Sequence, residues 1–428
     1  MNNWKEVSLK DYCKTQYGYT ASATDNNTGV KFVRITDIVP DFVDWNKVPY
    51  CEISEKDFKK YKLNEGDIVA ARTGATVGYA KQIRKGSPDA VFASYLVKLI
   101  PSEEVDKHFL GVLIESNVYR EFIQIIAGGS AQPNANANDL TLFKFFLPPV
   151  PTQQRIASIL SAYDDLIEVN NHRIKLLDET ARELYKEWFV RMRFPKYQNA
   201  KFKKGIPTDW RIEPIGKIID YNIGGGWGND NKDNQFSVAG YVIRGTDIPK
   251  VRAGQANQDV YRFHKASNMK SRELIEGDIV FETAGGSEGQ PLGRTCYITQ
   301  EMLDAYGDKV MAASFCKQIR TTSIPSLYLY YFLNYLYDTG MIEAYQVQST
   351  GISNYQFEPF LKFQQIILPK DELMQSFHDK AILMQKQIAI LGQQNTQLRQ
   401  IRDRLLPRLI SGKLEVKPNI ILKQTEQD

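Results

Sequence analysis

Two stretches of the chain place apolar residues at alternating steps of four and three. The first runs Ile156, Leu160, Tyr163, Ile167, Asn170, Ile174, Leu177, Ala181, Leu184, Trp188. The second runs Phe377, Ala381, Met384, Ile388, Leu391, Asn395, Leu398, then Leu405 and Leu409. This spacing predicts two long helices, each with a coiled-coil seam. Pro151 and Thr152 suit a helix start, Pro195 ends the first helix and Gly412 is a natural C-cap for the second. Arg402 interrupts the second seam, with Ile401 beside it as a substitute. One asparagine sits centrally in each seam, and a buried Asn fixes register at a cost in stability.

The segments before the two helices are written alike. Trp4 and Trp210 open them. Phe32-Val-Arg-Ile-Thr-Asp-Ile38 matches Val242-Ile-Arg-Gly-Thr-Asp-Ile248, and Leu63-Asn-Glu-Gly-Asp-Ile-Val69 matches Leu274-Ile-Glu-Gly-Asp-Ile-Val280. Ala93-Ser94 pairs with Ala313-Ser314, and Leu147-Pro148 with Leu368-Pro369. The matches keep one order with slowly growing offsets, as expected of a duplicated unit with small insertions. Each unit should begin with short strands, such as Asp67–Ala71, Val77–Ile83 and Val91–Ile100. An amphipathic helix should follow near Val105–Ala127 in one copy and Ser326–Val347 in the other. A polar loop (128–134 and 349–354) and a last strand precede each long helix.

The expected architecture is therefore α+β: two similar mixed α/β domains separated by a pair of long antiparallel helices, with pseudo-two-fold symmetry. The division is residues 1–147, helix 148–195, residues 196–369, helix 370–414 and a tail 415–428. Connectivity makes any pairing of the helices antiparallel. At about 40 residues each they would span about 60 Å, a bar between two globular ends.

Composition narrows the function. Apolar content of 43% and charged content of 24% are ordinary for a globular protein. No window of 18 uncharged apolar residues suggests a membrane span, and Met1–Lys10 has no apolar core of a secretion signal. Cys13, Cys51, Cys296 and Cys316 form no CxxC pair, so neither a zinc site nor a disulfide framework is expected, and a cytoplasmic location fits. The net charge is only +4, but Arg182–Lys204 holds eight Lys or Arg against two Glu, and Gln385–Lys417 seven against two acidic residues. Such clusters suit a polyanion, or simply solvated helix faces.

No catalytic site is expected. The chain has no GxxxxGK[ST] loop and no dinucleotide GxGxxG, and Leu147-Pro-Pro-Val150 lacks the polar residue with which amino-methyltransferases hold an exocyclic amine. Gly285-Gly-Ser-Glu-Gly289 fits GxSxG, but Gln290-Pro-Leu-Gly293 opposes the helix that such a nucleophile needs.

The run Leu147-Pro-Pro-Val-Pro-Thr-Gln-Gln-Arg-Ile-Ala157, with Leu160 and Asp164-Asp-Leu-Ile-Glu168, resembles the first spacer of type I restriction–modification specificity subunits. Leu176–Phe189 and Leu398–Leu414 resemble further spacer segments, and each globular unit is similar to that family's target recognition domain. The resemblance implies a non-catalytic, sequence-specific DNA-binding subunit. Each domain would read one half of a bipartite asymmetric site, and the helices would set the gap and dock two methyltransferase subunits. It also implies S-adenosylmethionine bound by those partners rather than by this chain, adenine methylation, and ATP and Mg in restriction subunits where present. In a different class stands a helical adaptor that binds proteins and has no DNA affinity.

Base reading favours Arg, Asn, Gln, Ser and Thr on loops near the grooves, with Lys and Arg on phosphates. The candidates are Arg34, Thr36, Arg72, Thr73, Lys81, Gln132 and Asn134 in the first domain. In the second they are Arg244, Thr246, Thr283, Arg294, Gln348, Ser349 and Asn354. Asp37 and Asp247 stand ready to pair with Arg34 and Arg244. The loops diverge where Arg72-Thr-Gly74 meets Glu282-Thr-Ala-Gly-Gly286, so the loop chemistry differs and the second domain's bases do not follow from the first's.

Overall fold

A computed structural model describes residues 4–128, 133–285, 290–349 and 352–416. The side chains of Gln348, Ser349 and Ile352 lie outside that description. The repeat in the sequence is a repeat of strand topology. In the first copy, Cys13–Tyr17, Leu96–Pro101, Ile68–Ala71 and Ala80–Gln82 form, in that spatial order, an antiparallel sheet. The second copy orders Tyr221–Gly224, Cys316–Arg320, Ile279–Glu282 and Thr295–Tyr297 identically. A parallel pair stands beside each sheet: Lys31–Val33 with Ala90–Phe92, and Val238–Ile243 with Val310–Ala312. The first and last strands of each copy close on one another, Lys5–Ser8 on Lys144–Leu147 and Arg211–Pro214 on Gln365–Leu368.

The matched Glu-Gly-Asp-Ile-Val segments have a structural cause. Gly66 and Gly277 sit at φ 93° and 92°, a left-handed conformation that a side chain disfavours. The next residue turns its carboxylate back onto the chain: Asp67 accepts from the Asn64 N–H and Asp278 from the Ile275 N–H, both at 2.8 Å. The turn feeds the chain into the central buried strand of each sheet.

Four expectations are corrected. The strand expected over Val91–Ile100 is two, Ala90–Phe92 and Leu96–Pro101, in different sheets. The helix expected over Val105–Ala127 is two helices, Lys107–Ile114 and Asn117–Ala127. Ser116 breaks it by capping the second, accepting from the Tyr119 N–H. The helix expected over Ser326–Val347 stops at Asp338, where Gly340 turns left-handed and a short 3-10 turn, Met341–Tyr345, follows. The polar loop expected at 349–354 is largely hairpin: Gln346–Ser349 pairs with Ile352–Tyr355, which also pairs with Ala284–Gly285. No equivalent sheet is described in the first copy.

The long helices span Val150–Tyr185, continued by a π-helical turn at Lys186–Val190, and Asp371–Ile410. The chain divides into two compact units, one holding residues up to Glu168 and again from Leu398, the other Val169–Gln397. Each contains one sheet domain and a stretch of both helices.

In the first unit, Ile156, Ala157 and Leu160 pack in the domain core with Leu406 and Leu409, an antiparallel pairing. Arg402 stays in this seam, mostly covered, and forms an ion pair with Asp164; Ile401 does not replace it and remains 45% exposed. A paired charge keeps its place because Asp164 balances it.

In the second unit, Ile174 packs on Ile388 and Leu391, and Ala181 shares a core with Phe377 and Ala381, with Leu177, Leu184 and Met384 partly buried beside them. Tyr185, Trp188 and Phe189 ring Phe377 at centroid distances of 5.3–6.3 Å and join the helices to the domain through Tyr328 and Tyr331. Next to the Ile174 layer, on the side away from Ala181, Asn170 Nδ2 donates to Asn395 Oδ1 at 3.0 Å, and Asn395 Nδ2 donates to Asn171 Oδ1 at 2.9 Å. Both seam asparagines are buried.

Removing one member of the pair strands a buried amide. Asn395→Leu should lower stability by about 1–3 kcal/mol, read as a lower Tm. The double replacement Asn170→Leu/Asn395→Leu should recover much of the loss while weakening the choice of register. A double variant no better than the single would show that the amide pair is not the source of the cost.

Candidate nucleic-acid interface

In each domain the residues following the central strands are gathered at one edge by backbone hydrogen bonds. In the first domain, Val33 O accepts from Ala93 N at 2.9 Å, which joins the start of the Arg34 turn to the Ala93-Ser-Tyr95 turn. Arg72 N donates to Tyr95 O, and Ala135 N donates to Arg72 O. Thr73 and Asn134 form a β-bridge. Arg34, Thr36, Arg72, Thr73 and Asn134 are thereby collected along one rim. Gln132 lies outside the described residues.

The second domain repeats the construction. Ala313 N donates to Ile243 O, and Thr283 N to Phe315 O. Asn354 pairs with Ala284 in register. Arg244, Thr246, Thr283 and Asn354 share this edge. Gln348 and Ser349 lie on the strand of the added hairpin, with Gln348 opposite Ser353.

The two arginines are held by one device. Asp37 Oδ2 accepts from Arg34 N at 2.8 Å and Nε at 3.0 Å, while Oδ1 accepts from Nη2 at 3.1 Å. Asp247 makes the same three bonds to Arg244, each at 2.9 Å, and also accepts from Asn257 Nδ2. The hydrogen bond to the carboxylate raises the pKa of each guanidinium. The Nε edge is occupied, but the Nη1/Nη2 edge remains and the side chains stay 41% and 36% exposed. A guanidinium oriented on one edge can form a two-point contact with its other edge. Thr36 and Thr246, two residues on, are exposed.

Two candidates are already engaged. The Lys81 ammonium lies 3.1 Å from Glu115 with 16% of its side chain exposed. Arg294 makes a two-point contact with Glu282, its Nε donating at 2.8 Å, and their side chains are 11% and 3% exposed. This pair belongs to a cleft of about 690 Å³ lined also by Trp227, Arg244, Thr246 and Phe315. Arg72 places its guanidinium 5.2 Å from the Tyr17 ring centroid.

The cleft aromatics Trp227 and Phe315, 42% and 59% exposed, were absent from the residues chosen on sequence, as was Tyr95 at 62%. The signal for the last two was present: Ala-Ser is followed by an aromatic in both copies.

The basic runs are partly neutralised in place. Arg182 pairs with Asp178 and Asp338, and Lys186, Arg191 and Arg193 with Glu183 or Glu187. Arg399 reaches Asp41, and Lys386 reaches Glu276 and Glu301. Their position on the helices therefore says less about a polyanion than their number does. Ser287 of the GxSxG match lies outside the described residues, and Gln290–Gly293 forms no helix. No helix of the described residues is long and apolar enough to cross a membrane.

Residues 1–179 match the family model of the type I restriction modification DNA specificity domain. Over these residues the chain is similar to the DNA specificity domain of type I restriction–modification systems. It is 25% identical over 343 residues to the type I restriction enzyme MjaIX specificity subunit of Methanocaldococcus jannaschii, covering 74% of this chain and 71% of that one. The putative MjaX specificity subunit of the same organism is 29% identical over 231 residues, 52% and 54% of the two chains. The crystal structure of the type I system S subunit from M. genitalium has the same fold, with a TM-score of 0.56 and 14% identity over 97% of this chain and 98% of that one. The mixed, twice-repeated fold with long helices is the one expected from the sequence.

Breaking the buried Glu282–Arg294 pair should be costly. Glu282→Ala leaves a covered guanidinium without its carboxylate and should lower stability by about 3–5 kcal/mol, visible as a marked drop in Tm. Ala71 occupies the corresponding place in the first domain, opposite Leu96 as Glu282 is opposite Cys316. Ala71→Ser should therefore change little by comparison. An unaltered Tm in Glu282→Ala would refute the structural weight given to this pair.

Proposed function

We propose that this chain is a type I restriction–modification specificity subunit that reads a bipartite asymmetric DNA site, one half with each domain, and itself transfers no methyl group. The observation that carries the reading is the repeated rim. In both copies the matched segments present an arginine oriented by an aspartate and an exposed threonine, with an asparagine beside them, Asn134 at an isolated bridge and Asn354 on the hairpin strand. Arginine suits guanine and asparagine suits adenine in the major groove, while threonine tolerates either partner. Beyond the matched strand ends Ala71 and Glu282 the copies diverge, Arg72-Thr-Gly74 in one and Thr283-Ala-Gly285 in the other, which supports different half-sites.

In this reading the long helices set the unread gap and dock two methyltransferase subunits, which bind S-adenosylmethionine and methylate an adenine in each half. Restriction subunits using ATP and Mg would join where the system has them, and the assembly works in the cytoplasm. Exposed apolar residues at seven-residue spacing support docking on the helices. Val169 and Leu176 are 54% and 47% exposed, and Leu383 and Ile390 are 66% and 37% exposed. They lie off the Ile174–Ile388 seam.

The deciding experiment replaces residues 1–147 with the first domain of another specificity subunit in a host carrying the cognate methyltransferase. Methylome sequencing should show one half-site changed, and the other half and the gap retained. Changes in both halves would overturn independent reading. Purified alone with S-adenosylmethionine and DNA, the chain should transfer no methyl group.

Docking has its own test. Leu176→Lys and Leu383→Lys place charge on the exposed helix faces, so they should weaken co-purification of the methyltransferase subunits at least several-fold with Tm unchanged. Undiminished co-purification by the double variant would exclude this surface.

A further inference from the structure

Tyr95 and Phe315 occupy equivalent places in the two domains. Each is the last residue of an Ala-Ser-aromatic turn between the parallel-paired strand and the strand of the antiparallel sheet. Each turn is closed by the same bond, Leu96 N to Ala93 O and Cys316 N to Ala313 O, both 2.9 Å. A glycine abuts each turn so closely that a Cβ on Gly18 would lie 2.1 Å from Ala93 O, and one on Gly225 would lie 2.2 Å from Ala313 O. The backbone of both turns is thus fixed from three sides, while the rings project 62% and 59% exposed.

Exposed apolar residues are common on this chain, but these two rings recur at one matched turn in both copies and add nothing to the core. Both copies have one, although the neighbouring loops differ. Phe315 has no side-chain hydrogen-bonding group, so it cannot read a base edge. What an aromatic ring offers DNA regardless of sequence is a stacking face. The two half-sites differ in sequence but, on the function proposed above, share one event: an adenine leaves the duplex to be methylated.

We infer that Tyr95 and Phe315 are stacking wedges, one for each half-site, that pack against the base stack where the target adenine has been rotated out. They are positioning residues, not catalytic ones, and the inference rests on the DNA-reading function.

The test uses the complete complex with its methyltransferase subunits, S-adenosylmethionine and a duplex carrying the mapped site. Tyr95→Ala and Phe315→Ala should each slow single-turnover methylation in one half-site by about tenfold, the scale of a lost base–aromatic stack, with the other half and the recognised sequence unchanged. Tyr95→Phe and Phe315→Tyr should restore the rate. An abasic site opposite the target adenine, which removes the pairing that resists extrusion, should rescue the alanine variants selectively. Parent-like rates in both alanine variants, a changed recognition sequence, or a slow rate without abasic rescue would overturn the wedge role. If the parent complex itself neither binds nor methylates a bipartite site, the function proposed above fails instead.

Discussion

A buried side-chain amide in an apolar seam must find a partner or lose hydrogen bonds to water that nothing replaces. Asn170 and Asn395 meet this constraint together. Sliding either helix by one seam position would oppose each amide to a hydrocarbon. The surrounding contacts follow from the register so fixed: Ile174 against Ile388 and Leu391, and Ala181 beside Phe377. Phe377 in turn anchors the aromatic group through which the helices join the second domain. Gly254 and Gly392 also depend on it, since a Cβ on Gly392 would meet the Gly254 backbone at 2.3 Å.

The candidate interface rests on a different principle. Its side chains stand beyond the sheet ladders, on turns whose backbone groups are already paired. The strands and the Glu-Gly-Asp turns determine where those turns emerge, and Asp37 and Asp247 determine how Arg34 and Arg244 are presented. Position and identity are thereby separated: the frame and its Asp-held arginine are common to both domains, and the residues that follow Ala71 and Glu282 differ.

Much of this was legible in the sequence, and the gaps have physical reasons. The seam was readable because its four-three spacing is local; Ile156, Ile167, Asn170, Phe377 and Asn395 are all buried. The duplication was readable because turns needing a left-handed glycine and a returning aspartate tolerate few alternatives. The substitution of Ile401 for Arg402 failed because Asp164, distant in sequence, neutralises the charge. The break at Ser116 was obscured by apolar periodicity that continues on both sides of it. The engagement of Lys81 and Arg294 was not readable, since residue type shows a cation but not Glu115 or Glu282 beside it. Tyr95 and Phe315 were overlooked because an aromatic residue ordinarily signals a core.

The Glu282–Arg294 pair gives the two domains unequal freedom to drift. Where the second domain holds a buried acid and base, any change at one must be accompanied by a change at the other, so its cleft floor can move only in coupled steps. Ala71 at the matched position imposes no such partnership. A single substitution at Ala71 therefore meets less resistance than one at Glu282 or Arg294.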